Sequence, residues 1–477
     1  MKLSDLVKDI SYSGTFVDRE VTEITDNSSA VCPGCIFVCI EGKRFDGHTK
    51  AAEATEKGAA AVVVSRNLGL PNQILVENTR SAYTRLCAAY YGHPEKKLRM
   101  VGVTGTNGKT TTTFVIKHIL DSLGLKSGLI GTVKNVIDNE DYPAAFTTPD
   151  ANELFSILAK MAAAGCEFCI MEVSSQALAQ YRVDGIHFET AVFTNLTRDH
   201  LDYHGTFENY MAAKHMLFEN ADISVINSDD EAAEYMVSGT GTKVVTYSAK
   251  QDNSDFTAKN IRSSATGLKY ELVSSSDIGR VKFNVPGLFN VYNSMAAIIC
   301  VMELGLNFKA VLDAISTFTG VPGRMEVLPT GTPYTVIVDY AHTPDGLENV
   351  LRSLREVCEG RIIAVFGCGG DRDKTKRPIM GGIGANLADI AVITSDNPRT
   401  EDPMAIIDDV LEGTAKHTAK IVVECDRTKA IAKALSLAQE GDTVLLAGKG
   451  HETYQILSTG KIHYDEREIV DSILKQV

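Results

Sequence analysis

The stretch VGVTGTNGKTTTTFVIKHIL, Val101 to Leu120, constrains the fold more than any other part of the chain. An apolar run stops at a turn holding two glycines, and the residues after Lys109 repeat apolar positions at helical spacing. A buried strand feeding a helix through a tight turn satisfies that pattern. In such a turn Gly105 and Gly108, with Thr106 and Asn107 between them, let backbone N–H groups face an anion. Lys109 adds a point charge, and Thr110 or Thr111 supplies a hydroxyl able to reach Mg²⁺. The spacing departs from the general phosphate loop GxxxxGK, which would require glycine at Val103. The physics survives the departure, so a nucleotide-binding turn is expected at the start of a parallel sheet.

The length of 477 residues suggests about three domains with clefts between them. Strands at 99–104, 168–173, 190–195, 223–227 and 243–247 alternate with helices, as in a parallel sheet covered on both faces. Residues 256–286 switch to alternating apolar spacing, which predicts antiparallel hairpins, and helices over 290–304 and 308–318 follow. After Pro329 a second alternation begins with TVIVDY, RIIAVFG, DIAVITS, AKIVVEC and DTVLLAG. The expected fold is α/β in three domains. A small N-terminal α/β unit spans 1–97. A central phosphate-loop parallel sheet with an antiparallel extension spans 98–329. A Rossmann-like doubly wound unit spans 330–477.

Several function classes are excluded by charge and spacing. A net charge of −14 opposes a nucleic-acid footprint, which needs a sustained basic surface. No apolar run reaches membrane-spanning length, and MKLSDLVKDI places acids where a signal peptide would be basic and then apolar. A cytoplasmic protein that binds neither nucleic acid nor membrane is expected. The pairs Cys32/Cys35 and Cys166/Cys169 read as reduced structural thiols, since no His pair completes a zinc site. GCGGDRD fails as a dinucleotide fingerprint because Arg372 stands where GxGxxG demands glycine.

Two further sites follow from strand ends, where ligands of parallel sheets bind. Glu172 ends FCIMEV and is either a Mg²⁺ ligand or a rim acid. His200, beside Asp199, follows the strand TAVFTN and is either functional or a solvated loop histidine.

The motifs TGTNGKT, MEVSSQAL, NLTRDHLDYHG, YMAAKHMLF, FNVYNSMAA, GVPGRME, DYAHTPD, GCGGDRD and DNPRTEDP occur here in the order found in the Mur ligases, and the chain resembles that family over nearly its whole length. The resemblance implies ATP-dependent addition of an amino acid to a UDP-N-acetylmuramoyl peptide through an acyl phosphate. The set is most similar to members that add meso-diaminopimelate to UDP-N-acetylmuramoyl-L-alanyl-D-glutamate, and a monomer is expected. By the same resemblance Lys109, Glu172, His200, Lys214 and Arg324 are catalytic. ATP contacts extend from Gly105 through Thr111 to Asn290, Asn293, Arg324, Asp339 and His342. Helix capping is the other reading of the two asparagines, and an interdomain ion pair the other reading of Arg324. Lys214 is similar to a family lysine that reacts with CO₂ to a carbamate and, with Glu172 and His200, holds a second Mg²⁺; otherwise it is a solvated lysine. Ser28, Thr147, Thr148, Ser174, Gln180 and Arg182 match contacts to the UDP-linked substrate. Relatives read Asp-Ser-Arg where this chain reads Asn27-Ser28-Ser29, so the arginine of that turn is lost.

For the incoming amino acid the resemblance implies Arg372, Asp396, Asn397, Pro398, Arg399, Gly448 and Glu452. Pro398 stiffens the turn after DIAVITS, and Arg399 offers a fork that matches the distal carboxylate of diaminopimelate. Lysine lacks that carboxylate. A lysine-adding relative, a folylpolyglutamate synthetase and a noncatalytic nucleotide-binding regulator are the competing functions.

Overall fold

The computed structural model describes residues 1–42, 45–264, 267–415 and 419–475. Near the N-terminus, strands Ile24–Thr25, Ile36–Val38, Ala61–Val64 and Gln73–Leu75 pair in parallel in chain order. Helix Thr79–Tyr90 covers them, started by Asn78, whose side chain accepts from the Arg80 and Ser81 N–H groups.

Among the described residues the central sheet has eleven strands. Arg99–Thr104, which precedes the phosphate turn, lies between Phe168–Glu172 and Phe188–Phe193, parallel to both. Helix Lys109–Ser122 packs against Phe289–Glu303 on one face, so Val101 and Val103 are wholly enclosed and the strand reads as an unbroken apolar run. The expected antiparallel region is present as Phe256–Ser264, Gly267–Ser274 and Ile278–Phe283. Phe256 pairs in parallel with Tyr247, which makes that meander an extension of the same sheet. On the opposite edge, Ser127–Ile130, Asn135–Ile137 and Glu140–Tyr142 add three short strands too brief to leave a periodic signature.

The third sheet runs in the order Glu326–Leu328, Thr335–Asp339, Thr443–Ala447, Ile362–Phe366, Ile390–Ile393, Lys420–Val423. All are parallel except Glu326–Leu328, an antiparallel edge strand contributed from before residue 330. Alternate residues serve opposite faces. Ile363 and Val365 join a cluster with Ile431 and Val470, whereas Ala364 and Phe366 join Leu351 and Met380. The sheet is therefore doubly wound, although the strand order differs from that of a dinucleotide-binding domain. The second cluster continues through Met325 to Val101 and Ile116, so one apolar core joins the central and third units. Strand ends of both sheets can then share one cleft.

Among the described residues no helix is long and apolar enough to cross a membrane. The ten cysteines carry no disulfide, and Cys35, Cys166 and Cys169 are packed as small apolar side chains.

Candidate active site

Gly105 and Gly108 take φ values of +149° and +87°, a region that favours glycine. A Cβ at Gly105 would lie 1.9 Å from Thr194 Oγ1, and one at Gly108 would lie 2.3 Å from Asn293 Oδ1. Space as well as dihedral excludes a side chain at either position. The turn is braced from the neighbouring strand end: the Thr106 N–H donates to the Asn195 carbonyl at 2.8 Å and the Asn107 N–H to Asn195 Oδ1 at 2.9 Å. Lys109 Nζ folds back onto the carbonyls of Gly105 and Thr106 at 2.8 and 2.9 Å. Burial lowers its pKa from the usual lysine value. Lys214 Nζ donates to the same Gly105 carbonyl at 2.7 Å, over the Tyr210 ring at 4.7 Å. Burial, and then the charge of Lys109, push the Lys214 pKa far below the ordinary range. Among the described residues neither amine forms an ion pair. The solvated-lysine reading of Lys214 is overturned, since it is 1% exposed.

The turn opens into a cleft of about 560 Å³. Thr106 to Thr111 form its floor, and Glu172, Thr147 and His200 line it from the central sheet. Glu172 is fully buried, which removes the rim-acid reading. Its carboxylate accepts from the Thr132 N–H at 2.8 Å, and from the Thr132 and Thr110 hydroxyls at 3.0 Å each. His200 stays exposed, with φ of 53° and Nε2 3.5 Å from Asp199 Oδ2. Asn290 and Asn293 lie inside helix Phe289–Glu303 and do not cap it. The Asn290 amide donates to the Pro286 carbonyl at 2.7 Å and accepts from Asn293 Nδ2 at 2.8 Å, which aims the Asn293 oxygen at Gly108.

The third sheet supplies the facing wall. Asp339 accepts from the Met325 and Ala341 N–H groups at 2.7 and 2.8 Å, and burial raises its pKa. His342 Nδ1 must donate to the Tyr340 carbonyl, 2.8 Å away, leaving Nε2 as an acceptor. Burial and then the Lys376 charge hold its pKa near about 4. Arg324 Nη2 donates to Thr110 Oγ1 at 3.2 Å, its guanidinium lies 4.7 Å over the Tyr340 ring, and its buried Nε has no partner. It makes no ion pair among the described residues, contrary to the salt-bridge alternative. Sequence reasoning missed Thr132 and Asp345, which bonds the Asn107 amide and the Thr197 hydroxyl from across the cleft. Neither carries a local signal, since each acts only through partners distant in the chain.

Residues matched to the UDP-linked substrate cohere beside Glu172. Thr148 Oγ1 donates to the Glu172 carbonyl at 2.8 Å, Thr147 and Thr132 hydroxyls meet at 3.0 Å, and Ser174 caps helix Ser175–Ala179. Arg182 donates to the Thr148 carbonyl at 2.7 Å and to Gln180 Oε1 at 2.8 Å. Ser28 stands apart in a surface turn organised by Asn27, whose side chain accepts from the Ser29 N–H at 3.0 Å.

The last group gathers at strand ends of the third sheet. Arg399, with φ of 54°, donates from Nη1 to the Gly370 carbonyl at 2.8 Å. Arg372 is exposed and flanks the same glycine pair: a Cβ at Gly369 would lie 2.9 Å from Arg399 Nη1 and 3.8 Å from Arg372 Cγ. Asn397 Nδ2 donates to Glu452 Oε2 at 3.0 Å. Beneath them lies a residue that sequence reasoning passed over. Lys449, wholly buried, stands 3.4 Å from Asp396 Oδ1 and 3.5 Å from Glu452 Oε2, and donates to Asn397 Oδ1 at 3.1 Å. A Cβ at Gly448, whose φ is +116°, would lie 3.5 Å from Asp396 Oδ2, and one at Gly370 would lie 2.0 Å from the Pro398 carbonyl oxygen.

Family comparison matches residues 20–91 to the Mur ligase family catalytic domain, 103–301 to the Mur ligase middle domain and 323–450 to the Mur ligase glutamate ligase domain. The chain belongs to the Mur ligase family. Among similar Mur ligases, a UDP-N-acetylmuramoyl-L-alanyl-D-glutamate–2,6-diaminopimelate ligase from Clostridium botulinum is 44% identical, with each chain covered in full. A solved structure of a ligase of that name is 35% identical, with a TM-score of 0.70 and 96% and 95% of the two chains covered. Folylpolyglutamate synthase of Mycobacterium tuberculosis shares the fold at 18% identity and a TM-score of 0.63, over 78% of this chain and 92% of its own. Mur ligases are ATP-dependent and use Mg²⁺. The donor set fits that ion, because Thr110 Oγ1 and Glu172 Oε2 are hard oxygens 3.0 Å apart at the phosphate end of the cleft. Among the described residues no group of three His, Cys, Asp or Glu side chains forms a cage, which suits an ion that shares its coordination with phosphate and water.

Proposed function

We propose that the chain joins meso-diaminopimelate to UDP-N-acetylmuramoyl-L-alanyl-D-glutamate with release of ADP and phosphate. The observation that carries this reading is a single cleft whose floor is the phosphate turn and whose facing wall belongs to the sheet that presents Asn397, Arg399 and Glu452. A carboxylate oxygen is a poor leaving group, so the D-glutamate carboxylate first takes the γ-phosphoryl group of ATP. The incoming amine then adds to the acyl phosphate, and phosphate leaves from the tetrahedral adduct. Transfer between two anions depends on positive charge and alignment. Lys109 exchanges two loop carbonyls for phosphate oxygens, and Arg324 brings its guanidinium from the facing wall beside Thr110. Thr110 and Glu172 would hold Mg²⁺, which would supply positive charge to the phosphate oxygens. Asn290, Asn293, Asp339 and His342 orient the nucleotide. Thr147, Thr148, Ser174, Gln180 and Arg182, with Ser28, hold the UDP-linked peptide. Arg399 and Arg372 take the distal carboxylate of diaminopimelate, and Asp396, Asn397 and Glu452 take its ammonium.

The reading includes a carbamate on Lys214, supported by its enclosed amine, which has no counter-ion among the described residues beside the phosphate turn. Labelled bicarbonate should give a carbamate resonance that Lys214→Met abolishes, and an unchanged spectrum would remove the assignment. The substrates are cytoplasmic precursors, where the chain acts as a monomer. Phosphate release with the UDP-linked dipeptide and ATP tests the whole. Turnover is expected with meso-diaminopimelate and suppressed by about ten-thousandfold with L-lysine; the reverse preference would overturn the specificity.

A further inference from the structure

We infer that Arg467 is a positioning residue that fastens the loop carrying Glu452 to the linker carrying Arg324, so that the two move as one piece. The inference rests on the functional reading above only for the identity of the amino acid. Arg467 lies far along the chain, in helix Glu466–Leu474. Its guanidinium grips Glu326, with Nη2 at 2.6 Å and Nε at 3.1 Å from Oε2, and Nη2 also donates to the Gly450 carbonyl at 3.1 Å. Glu326 in turn accepts from the Gly323 N–H at 2.6 Å. One fork thus holds both strands of the junction.

Between those strands there is no room for side chains. A Cβ at Gly323 would lie 2.1 Å from the His451 backbone nitrogen, and one at Gly450 would lie 2.6 Å from Tyr340 Cβ. Both glycines have positive φ, 70° and 53°, so each position is doubly closed to substitution. Gly323 precedes Arg324 directly, and Gly450 stands two residues before Glu452. Tyr340 completes the joint, with its ring under Arg324 and 4.8 Å from the His451 ring. A displacement of the Glu452 loop therefore moves the backbone from which Arg324 reaches Thr110. Arg467 touches neither ligand and acts through that backbone. Close-packed contacts of this kind transmit shifts of the order of an ångström, which a phosphoryl-transfer site feels.

The test is a double-mutant cycle on nucleotide affinity, which needs no amino acid. Arg467→Met should weaken binding of a nonhydrolysable ATP analogue about tenfold, the scale of one lost charge-assisted bond, and leave AMP affinity unchanged. In an Arg324→Lys background it should cost nothing further. Arg467→Lys, which keeps charge and part of the reach, should recover part of the loss, and Glu326→Gln should reproduce it if Arg467→Met fails to fold. Equal weakening of AMP, or losses that multiply across the cycle, would overturn the inference. Turnover adds a separate readout: Arg467→Met should lower kcat with diaminopimelate and raise KM for it. Wild-type protein inert towards diaminopimelate would sink the functional reading while leaving the nucleotide cycle decisive.

Discussion

The phosphate turn and the amino-acid site hold their buried lysines in opposite ways. Lys109 and Lys214 crowd one backbone carbonyl with no ion pair among the described residues, whereas Lys449 is clasped between Asp396 and Glu452. In the first arrangement burial works against the ammonium form of both amines. The second cation is paired with carboxylates before anything binds. Stability and activity should therefore part company at the two places.

The largest effect expected from this contrast is on chemistry. Lys109→Met should lower kcat by about a thousandfold or more, measured as phosphate release, without loss of melting temperature, because it removes an uncompensated buried cation. Arg399→Lys comes next, with kcat/KM for diaminopimelate expected to fall about a hundredfold while KM for ATP holds. If ATP affinity fell equally, Arg399 would not act on the amino acid alone. Lys449→Met should cost about 3–5 kcal/mol of stability in chemical denaturation, because two buried carboxylates lose their cation. A stable Lys449→Met protein would erase the contrast. The smallest effect concerns pH. The folded pKa of Lys214 lies below its ordinary value of 10.5, so between the two the unfolded chain binds more protons. Stability should rise with pH across that window and be lost as pH falls through it. Lys214→Met should flatten the slope, read from denaturation midpoints at alkaline pH.

What could be read from the sequence divides along the same line. The turn at Gly105 to Thr111 is encoded by contiguous residues, so its strand, its conformation and its cation are all visible in twenty letters. The five parallel strands of the third unit are legible for the same reason, each an unbroken apolar run. Pairing between individual strands is less legible: the alternation in LKYELV marks an antiparallel extension but not that it attaches through Lys243–Ser248, and Glu326–Leu328 looks like linker until it pairs with Thr335–Asp339. Side chains that matter through distant partners are hidden likewise. Lys449 reads as one more charged loop residue, and Arg467 as an exposed helical cation, because their meaning lies in the carboxylates of Asp396 and Glu326, far back along the chain. Asn290 and Asn293 sit where caps usually stand, and only the helix start at Phe289 shows that they point sideways to the turn.

Lys449 has one more implication. The pocket proposed for the incoming amino acid already houses a permanent amine beneath Asp396 and Glu452, and two guanidinium groups stand at its rim. A guest whose far end is zwitterionic adds no charge to that crowd. One ending in a bare ammonium would be the odd cation out, turned away by company as much as by a missing handhold.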